Sequence, residues 1–498
     1  MNLMYHSTRN KADKVTASQA VLQGLSPDGG LYVPESLPKL DKSIEELSHM
    51  DYQGIAYEVM KLYMTDYTEE ELKDCINKAY DSKFDTPEIA PINKVGDSYY
   101  LELFHGSTLA FKDMALSILP HLLTKAAKKN NIKEEIVILT ATSGDTGKAA
   151  LAGFADVEGT KIIVFYPKNG VSSVQERQMV TQKGDNTYVI GITGNFDDAQ
   201  TGVKAMFNDK ELADRMQKSA YRFSSANSIN IGRLVPQIVY YVYSYAYLYK
   251  KQEISQGEKI NLVVPTGNFG NILAAYYAKQ MGLPVNKLIC ASNENKVLYD
   301  FFSTGTYDKN REFFLTSSPS MDILVSSNLE RLIYHITGED VNKTAELMES
   351  LQIKGSYQIT DSMKDHLKDF AGGWASDEKT RDMINNVFNN YNYIIDTHTA
   401  VAAKVNEQYK ADSKDTTKAL IVSTASPYKF AESVLEAIEA SSTGLDDYEQ
   451  AKLLNELTGV EIPKAVKELK TAPVLHDKIC ETVEMQAFVE RILKINQK

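Results

Sequence analysis

Four short stretches of the chain combine chemically capable residues with the small residues that let a ligand approach. In PTGNFGN, Pro265 to Asn271, the glycines Gly267 and Gly270 allow a sharp turn that presents N–H groups outward. The apolar helical stretch that follows adds the positive end of its dipole, so the loop reads as an anion cradle suited to a phosphate. It is not a Walker A loop, because no GK[ST] follows, and GxGxxG occurs nowhere in the chain. Taken alone it reads equally as a plain glycine-bearing turn. In HGSTLAFKDMAL, Lys112 follows Leu109, Ala110 and Phe111 and precedes a helical stretch with Asp113 in its first turn. A desolvated lysine there has a lowered pKa and a nucleophilic amine able to form a Schiff base with a carbonyl cofactor. The plainer alternative is a surface lysine whose stem lies along apolar neighbours. In TSGDTGKAA, Ser143, Thr146 and the loop N–H groups can bind a carboxylate at a helix start, although Ser, Thr and Asp are also ordinary caps. Asp145 is either such a cap or a partner for a cofactor hydroxyl. In STASPYKF, Thr424 ends an apolar strand, where its hydroxyl either meets a ring nitrogen or closes a turn.

The elements that must position these residues are legible as an alternation. EEIVILTA, KIIVFYP, NTYVIGI, INLVV, KLICAS, YNYII and KALIV are apolar runs, each followed by a small-residue loop and a helical stretch. Strand, loop and helix in alternation predict an α/β fold with two helix-covered, largely parallel sheet domains. In open sheets of that kind ligands sit beyond the carboxyl ends of strands, and each of the four stretches sits at a strand end or a helix start. The first ninety or so residues read as mainly helical, with helical spacing over Ser18 to Leu25 and Tyr52 to Met64 and a turn at Ser26 to Gly30. Leu234 to Tyr249, with six tyrosines and a proline, reads as a buried helix. Asp377 to Arg381 reads as an insertion or helical arm. These patterns divide the chain into 1–93, 94–445 and 446–498, the last predicted to be helical.

Composition narrows the functional classes. The chain has 498 residues, 43% apolar and 24% charged, and a net charge of −12. An acidic chain lacks the basic face that phosphate backbones demand, which argues against nucleic acid. The cysteines Cys75, Cys290 and Cys480 are scattered and form no CxxC, which disfavours a disulfide framework or a cysteine zinc site and fits a reducing compartment. No apolar run reaches the roughly 18 residues of a membrane span, and the charged N-terminus does not read as a secretory signal. The expectation is a soluble cytoplasmic protein without a metal, since His105 and His121 have no paired ligand nearby. A phosphate cradle, an amine, a carboxylate loop and a ring-nitrogen hydroxyl are together the parts that a pyridoxal phosphate enzyme requires.

The ordered series ASQAVLQGLSPDGGLYVPESLP, HGSTLAFKD, TSGDTG, SSANSINIGRLVPQ, PTGNFGN, SPSMDILVSSNLERL, DTHTAVA and STASPYKF resembles the threonine synthase family. That family lies in the tryptophan-synthase-β-like, fold type II, group of pyridoxal phosphate enzymes. The resemblance covers nearly the whole chain. It implies a catalytic α/β region with the cofactor between two subdomains, preceded by an N-terminal family-specific segment. It implies Lys112 as the Schiff-base lysine, Gly267, Asn268, Phe269, Gly270 and Asn271 around the cofactor phosphate, and Thr424 facing the pyridine nitrogen. Ser107 and Ser426 depart from the family pattern, standing where proline and histidine are common. The implied reaction converts O-phospho-L-homoserine and water to L-threonine and phosphate. The substrate's own phosphate then needs a second anion site, with Arg233 the first candidate and Lys168, Arg177 and Ser320 behind it; Arg233 reads equally as a structural ion-pair residue. Ser143 and Thr146 are candidates for the substrate carboxylate. His398 is either a proton-transfer group or a helix-start residue with a structural hydrogen bond. Rival readings are a phospho-lyase or a threonine or serine dehydratase on the same scaffold, and a non-catalytic binding protein that kept the fold.

Overall fold

The computed structural model describes residues 2–142, 144–171 and 173–495. Its main feature is a pair of parallel sheets. The first has the strand order β14-β11-β10-β15-β5-β4. Its strands are β4 (Ile92–Val95), β5 (Ser98–Glu102), β10 (Ile260–Pro265), β11 (Val285–Ser292), β14 (Phe370–Trp374) and β15 (Ala419–Ser423). All pairs are parallel except β4 with β5. The second has the order β16-β8-β7-β6-β9, with every pair parallel. Its strands are β6 (Glu135–Ala141), β7 (Thr160–Pro167), β8 (Thr187–Ile192), β9 (Tyr221–Ser224) and β16 (Lys478–Cys480). Parallel strands covered by helices on both faces must be apolar throughout, and β10 and β15 are buried along their whole length. That double burial is why these strands read as continuous apolar runs.

Two parts of the chain depart from the sequence-based expectation. The N-terminal region contains the helices Ala17–Gln23, Ile44–Ser48, Tyr52–Tyr63 and Glu69–Ala79, but it also forms an antiparallel sheet of β1 (Tyr5–Ser7), β2 (Asn10–Val15) and β3 (Tyr32–Pro34). The strand β2, NKADKV, is largely exposed, so it carries no alternating apolar pattern to betray it. The C-terminal segment is not wholly helical either. After the helix Asp447–Thr458, β16 pairs with β8 and extends the second sheet. Three residues, two of them exposed, leave too short a pattern to read.

The helix Ile231–Lys250 is buried along most of its 20 residues, as its composition predicts. The segment around Asp377 is one helix, Asp377–Tyr391. A two-stranded sheet of β12 (Thr306–Asp308) and β13 (Ser356–Gln358) is held by Tyr307 stacked on Tyr357, with ring centroids 5.4 Å apart. Among the described residues no helix is long and apolar enough to cross a membrane.

Candidate active site

The loops that follow β5 and β15 are zipped together because the two strands are neighbours. Leu103 N–H donates to Ser423 O (2.9 Å), Phe111 N–H to Thr424 O (2.8 Å) and Ser426 N–H to Leu109 O (3.0 Å). An isolated antiparallel bridge joins Ala110 to Ala425. Lys112 and Thr424, far apart in sequence, are thereby carried to one place. The lysine's own loop is closed by Asp113, whose buried carboxyl accepts from Thr108 N–H (2.8 Å) and Thr108 Oγ1 (2.6 Å). Gly106 is required there: a Cβ would stand 2.5 Å from Asp113 Oδ2.

Lys112 Nζ lies 3.4 Å from Ser320 Oγ and 3.6 Å from Asp145 Oδ2. Burial pushes its pKa down; Asp145 opposes this, while Lys429 and Arg233 push it further down. Asp145 is neither a cap nor idle. Thr142 Oγ1 does the capping, accepting from the N–H groups of Gly144 and Gly147, each at 3.0 Å. This leaves Asp145 Oδ1 for Lys429 Nζ (3.0 Å) and Gln175 Nε2 (3.0 Å), and Oδ2 for Ser320 Oγ (3.1 Å). Burial favours the neutral acid, but Lys429 and Lys112 outweigh it and hold the carboxyl well below the usual carboxylate range.

The cradle loop joins β10 to the helix Gly270–Gln280. Gly267 O accepts from Ser326 Oγ (2.7 Å), and Asn268 O accepts from Asn328 N–H (3.1 Å). In a trans peptide the N–H points opposite to the carbonyl, so the N–H groups of Asn268 and Phe269 face away from those donors. Phe269 sits at φ 65°, a left-handed conformation that a bulky residue seldom adopts and that ligand clamps tolerate. Asn271 Oδ1 accepts from Tyr240 Oη (2.7 Å) and from Tyr241, while its buried Nδ2 has no partner among the described residues.

The remaining candidates separate. Ser320 reaches the site: its N–H donates to His398 Nε2 (3.2 Å), whose Nδ1 donates to Asp396 Oδ2 (2.8 Å). Asp396 caps the helix Thr397–Ser413, so His398 is a helix-start residue that anchors Ser320. Arg233 is 4% exposed; Nη1 donates to Ala226 O (2.9 Å), and Nε has no partner among the described residues. It makes no ion pair among the described residues. Thr146 lies partly buried in the first turn of the helix Asp145–Phe154. Ser143 lies outside the described residues. Lys168 pairs with Glu176, and Arg177 donates to Leu469 O (3.2 Å) and Ala472 O (2.6 Å). Ser107 is exposed, while Ser426 Oγ accepts from Tyr428 N–H and caps the short turn Pro427–Phe430. One group went unread in the sequence, and another, His105, reads there as having no paired ligand nearby. Lys429 lies in STASPYKF, and its only signal was a lysine set among aromatic residues. His105 is not isolated: it bonds Asp85 (2.6 Å) and Glu102 (2.8 Å).

Comparison with known proteins finds family matches along the chain. Residues 4–80 match the family described as threonine synthase N terminus, 93–424 match pyridoxal-phosphate dependent enzyme, and 399–479 match threonine synthase, C-terminal. The threonine synthase of Saccharomyces cerevisiae is 36% identical over 499 residues, covering 94% of this chain and 93% of that protein. The human protein threonine synthase-like 1 is 37% identical over 488 residues, and the chain spans 63% of its length. The crystal structure of pyridoxal-phosphate-bound threonine synthase from Brucella melitensis superposes with a TM-score of 0.88 at 31% identity, covering both chains in full. The yeast threonine synthase structure gives 0.88 at 34% identity over 99% of each chain. The chain therefore belongs to the threonine synthase family of pyridoxal-phosphate-dependent enzymes.

Proposed function

We propose that this protein converts O-phospho-L-homoserine and water to L-threonine and phosphate. The observation that carries the reading is the meeting of Lys112, Asp145, Ser320 and Thr424 from four chain-distant loops. The residues present fit pyridoxal phosphate. A desolvated lysine stands beside the loop of Thr424, and the cradle keeps an unpartnered buried donor, Asn271 Nδ2, as an anion site would. Lys112 would hold the cofactor, Gly267 to Asn271 its phosphate, and Thr424 its ring nitrogen. When bound, that cofactor supplies a carbonyl for the substrate amine and a ring that accepts electrons.

The chain's own residues account for the remainder. Lys112 Nζ is the base for the proton on the substrate α-carbon, held in place by Ser320 and Asp145. Arg233, buried with Nε unpartnered, is the donor set aside for the substrate phosphate. Thr146 serves the substrate carboxylate at the start of its helix, with Ser143 beside it in sequence. Thr424 is a neutral hydroxyl, which does not keep a ring nitrogen protonated as a carboxylate would, so the electron sink is weak. In this reading residues 1–93 form the N-terminal unit, 94–445 the catalytic region with the cofactor between its two sheets, and 446–498 a segment that completes the second sheet. A net charge of −12 supports a small-molecule substrate rather than nucleic acid, and three free buried cysteines support a reducing cytoplasm.

The test is incubation of the purified protein with O-phospho-L-homoserine and identification of the organic product. L-Threonine with one phosphate released per molecule is expected; 2-ketobutyrate as the main product overturns the proposal in favour of the phospho-lyase. A Lys112→Ala variant is expected to lose about 10²–10⁴-fold or more of phosphate release.

A further inference from the structure

The site contains a lysine that the proposed reaction leaves unused. The side chain of Lys429 is 2% exposed, and its Nζ is held by Asp145 Oδ1 at 3.0 Å and by Thr108 O at 2.8 Å. Asp145 turns its other oxygen, Oδ2, to Lys112 Nζ at 3.6 Å. One buried carboxylate thus stands between two lysines, the nearer being the one outside the reaction. Among the described residues Asp145 is the sole carboxylate within ion-pair distance of Lys112.

A buried lysine paired with one carboxylate of its own is held as an ammonium, which is neither nucleophile nor base. Sharing that carboxylate with a second cation removes much of the hold, and the second positive charge itself disfavours protonation. We propose that Lys429 is a positioning residue of this reaction: it takes up the Oδ1 side of the Asp145 carboxylate at closer range and so keeps Lys112 available as a free amine. Several other groups bear on this charge balance. Arg233 adds to the positive charge at Lys112, Ser320 Oγ bridges Lys112 to Asp145, and His398 holds Ser320 from behind. Behind Lys429 stand Asp113 and Lys148, whose charges oppose one another. The inference rests on Lys112 as the cofactor lysine.

The experiment is competitive labelling of the full chain after cofactor removal, with the extent of acetylation at Lys112 followed against pH by peptide mass spectrometry. Lys429→Met is expected to raise the labelling midpoint of Lys112 by about one pH unit or more, because the carboxylate is left to one cation. Lys429→Arg is expected to restore the native midpoint. An unchanged or lowered midpoint in Lys429→Met overturns the proposal. Lys429→Gln keeps a donor toward Thr108 and is read in the same way if the methionine variant does not fold. Failure of both to fold also overturns the proposal, since it makes the charge a structural one. The cofactor reading is tested separately by borohydride trapping in the unaltered holoenzyme: a normal adduct at Lys112 with an unmoved midpoint rejects the Lys429 role alone.

Discussion

At the scale of single residues, burial and charge pull against each other, and His105 makes the outcome measurable. Burial lowers its pKa, but the carboxylates of Asp85 and Glu102 outweigh that and hold it up at about 9. In the unfolded chain the value is about 6.5. A proton bound more tightly in the folded state stabilises it, so the contribution is complete below about 6.5 and is lost as pH rises through 9. Asp85 is half exposed and screened by solvent, so the clamp contributes about 1–2 kcal/mol. His105→Asn is expected to lower the melting temperature at pH 6, and the gap from the unaltered protein is expected to close above pH 9. A gap that persists unchanged at pH 10 contradicts the assignment. The clamp escaped the sequence reading because Asp85, 20 residues earlier, is brought to the ring only by folding, although Glu102 lies 3 residues away.

At the scale of elements, the cradle depends on how closely two loops approach. A Cβ on Gly267 would stand 2.5 Å from the backbone oxygen of Ser320, and backbone yields less readily than a side-chain tip. Gly267→Ala is therefore expected to cost about 1–3 kcal/mol of stability. It is also expected to weaken cofactor binding about tenfold, roughly 1.4 kcal/mol, by moving Ser320 off Lys112. Denaturant unfolding and cofactor titration check the two effects; unchanged affinity rejects the close approach. The glycines were legible in PTGNFGN as turn residues, but the group that makes Gly267 irreplaceable lies in a distant loop. The same division holds for strands. The apolar runs of β6, β7, β8, β10 and β15 announced themselves because both faces are buried. By contrast, β2 and β16 follow from pairing partners and not from any pattern of their own.

At the scale of the whole molecule, Arg331 ties the N-terminal unit to the cradle. It is fully buried and donates from Nε to Tyr32 O (2.9 Å), from Nη1 to Asn328 Oδ1 (2.5 Å) and from Nη2 to Ile229 O (2.6 Å). Tyr32 belongs to β3, Ile229 leads into the helix Ile231–Lys250, and Asn328 holds Asn268 O in the cradle. Arg331→Met leaves three acceptors unpaired, two of them fully buried, and is expected to cost about 3 kcal/mol or more. Cofactor affinity is expected to fall with it, because Asn328 loses its support. Equilibrium unfolding and cofactor titration of the variant check both effects; loss of stability with unaltered affinity denies the link to the cradle.

The sequence by itself determined the alternation of strands and helices, the sharp turns at the strand ends and the small set of residues able to react. These are local matters, settled by apolar periodicity, glycine freedom and capping within a few residues. The tertiary structure alone decided that Asp145 stands between Lys112 and Lys429, that Arg233 is buried without a carboxylate among the described residues, and that β16 closes the second sheet. Those outcomes depend on strand order, which is set by burying apolar faces between segments hundreds of residues apart. Electrostatic pairing follows from that order, because a charge acts strongly only across the few ångströms that packing brings together.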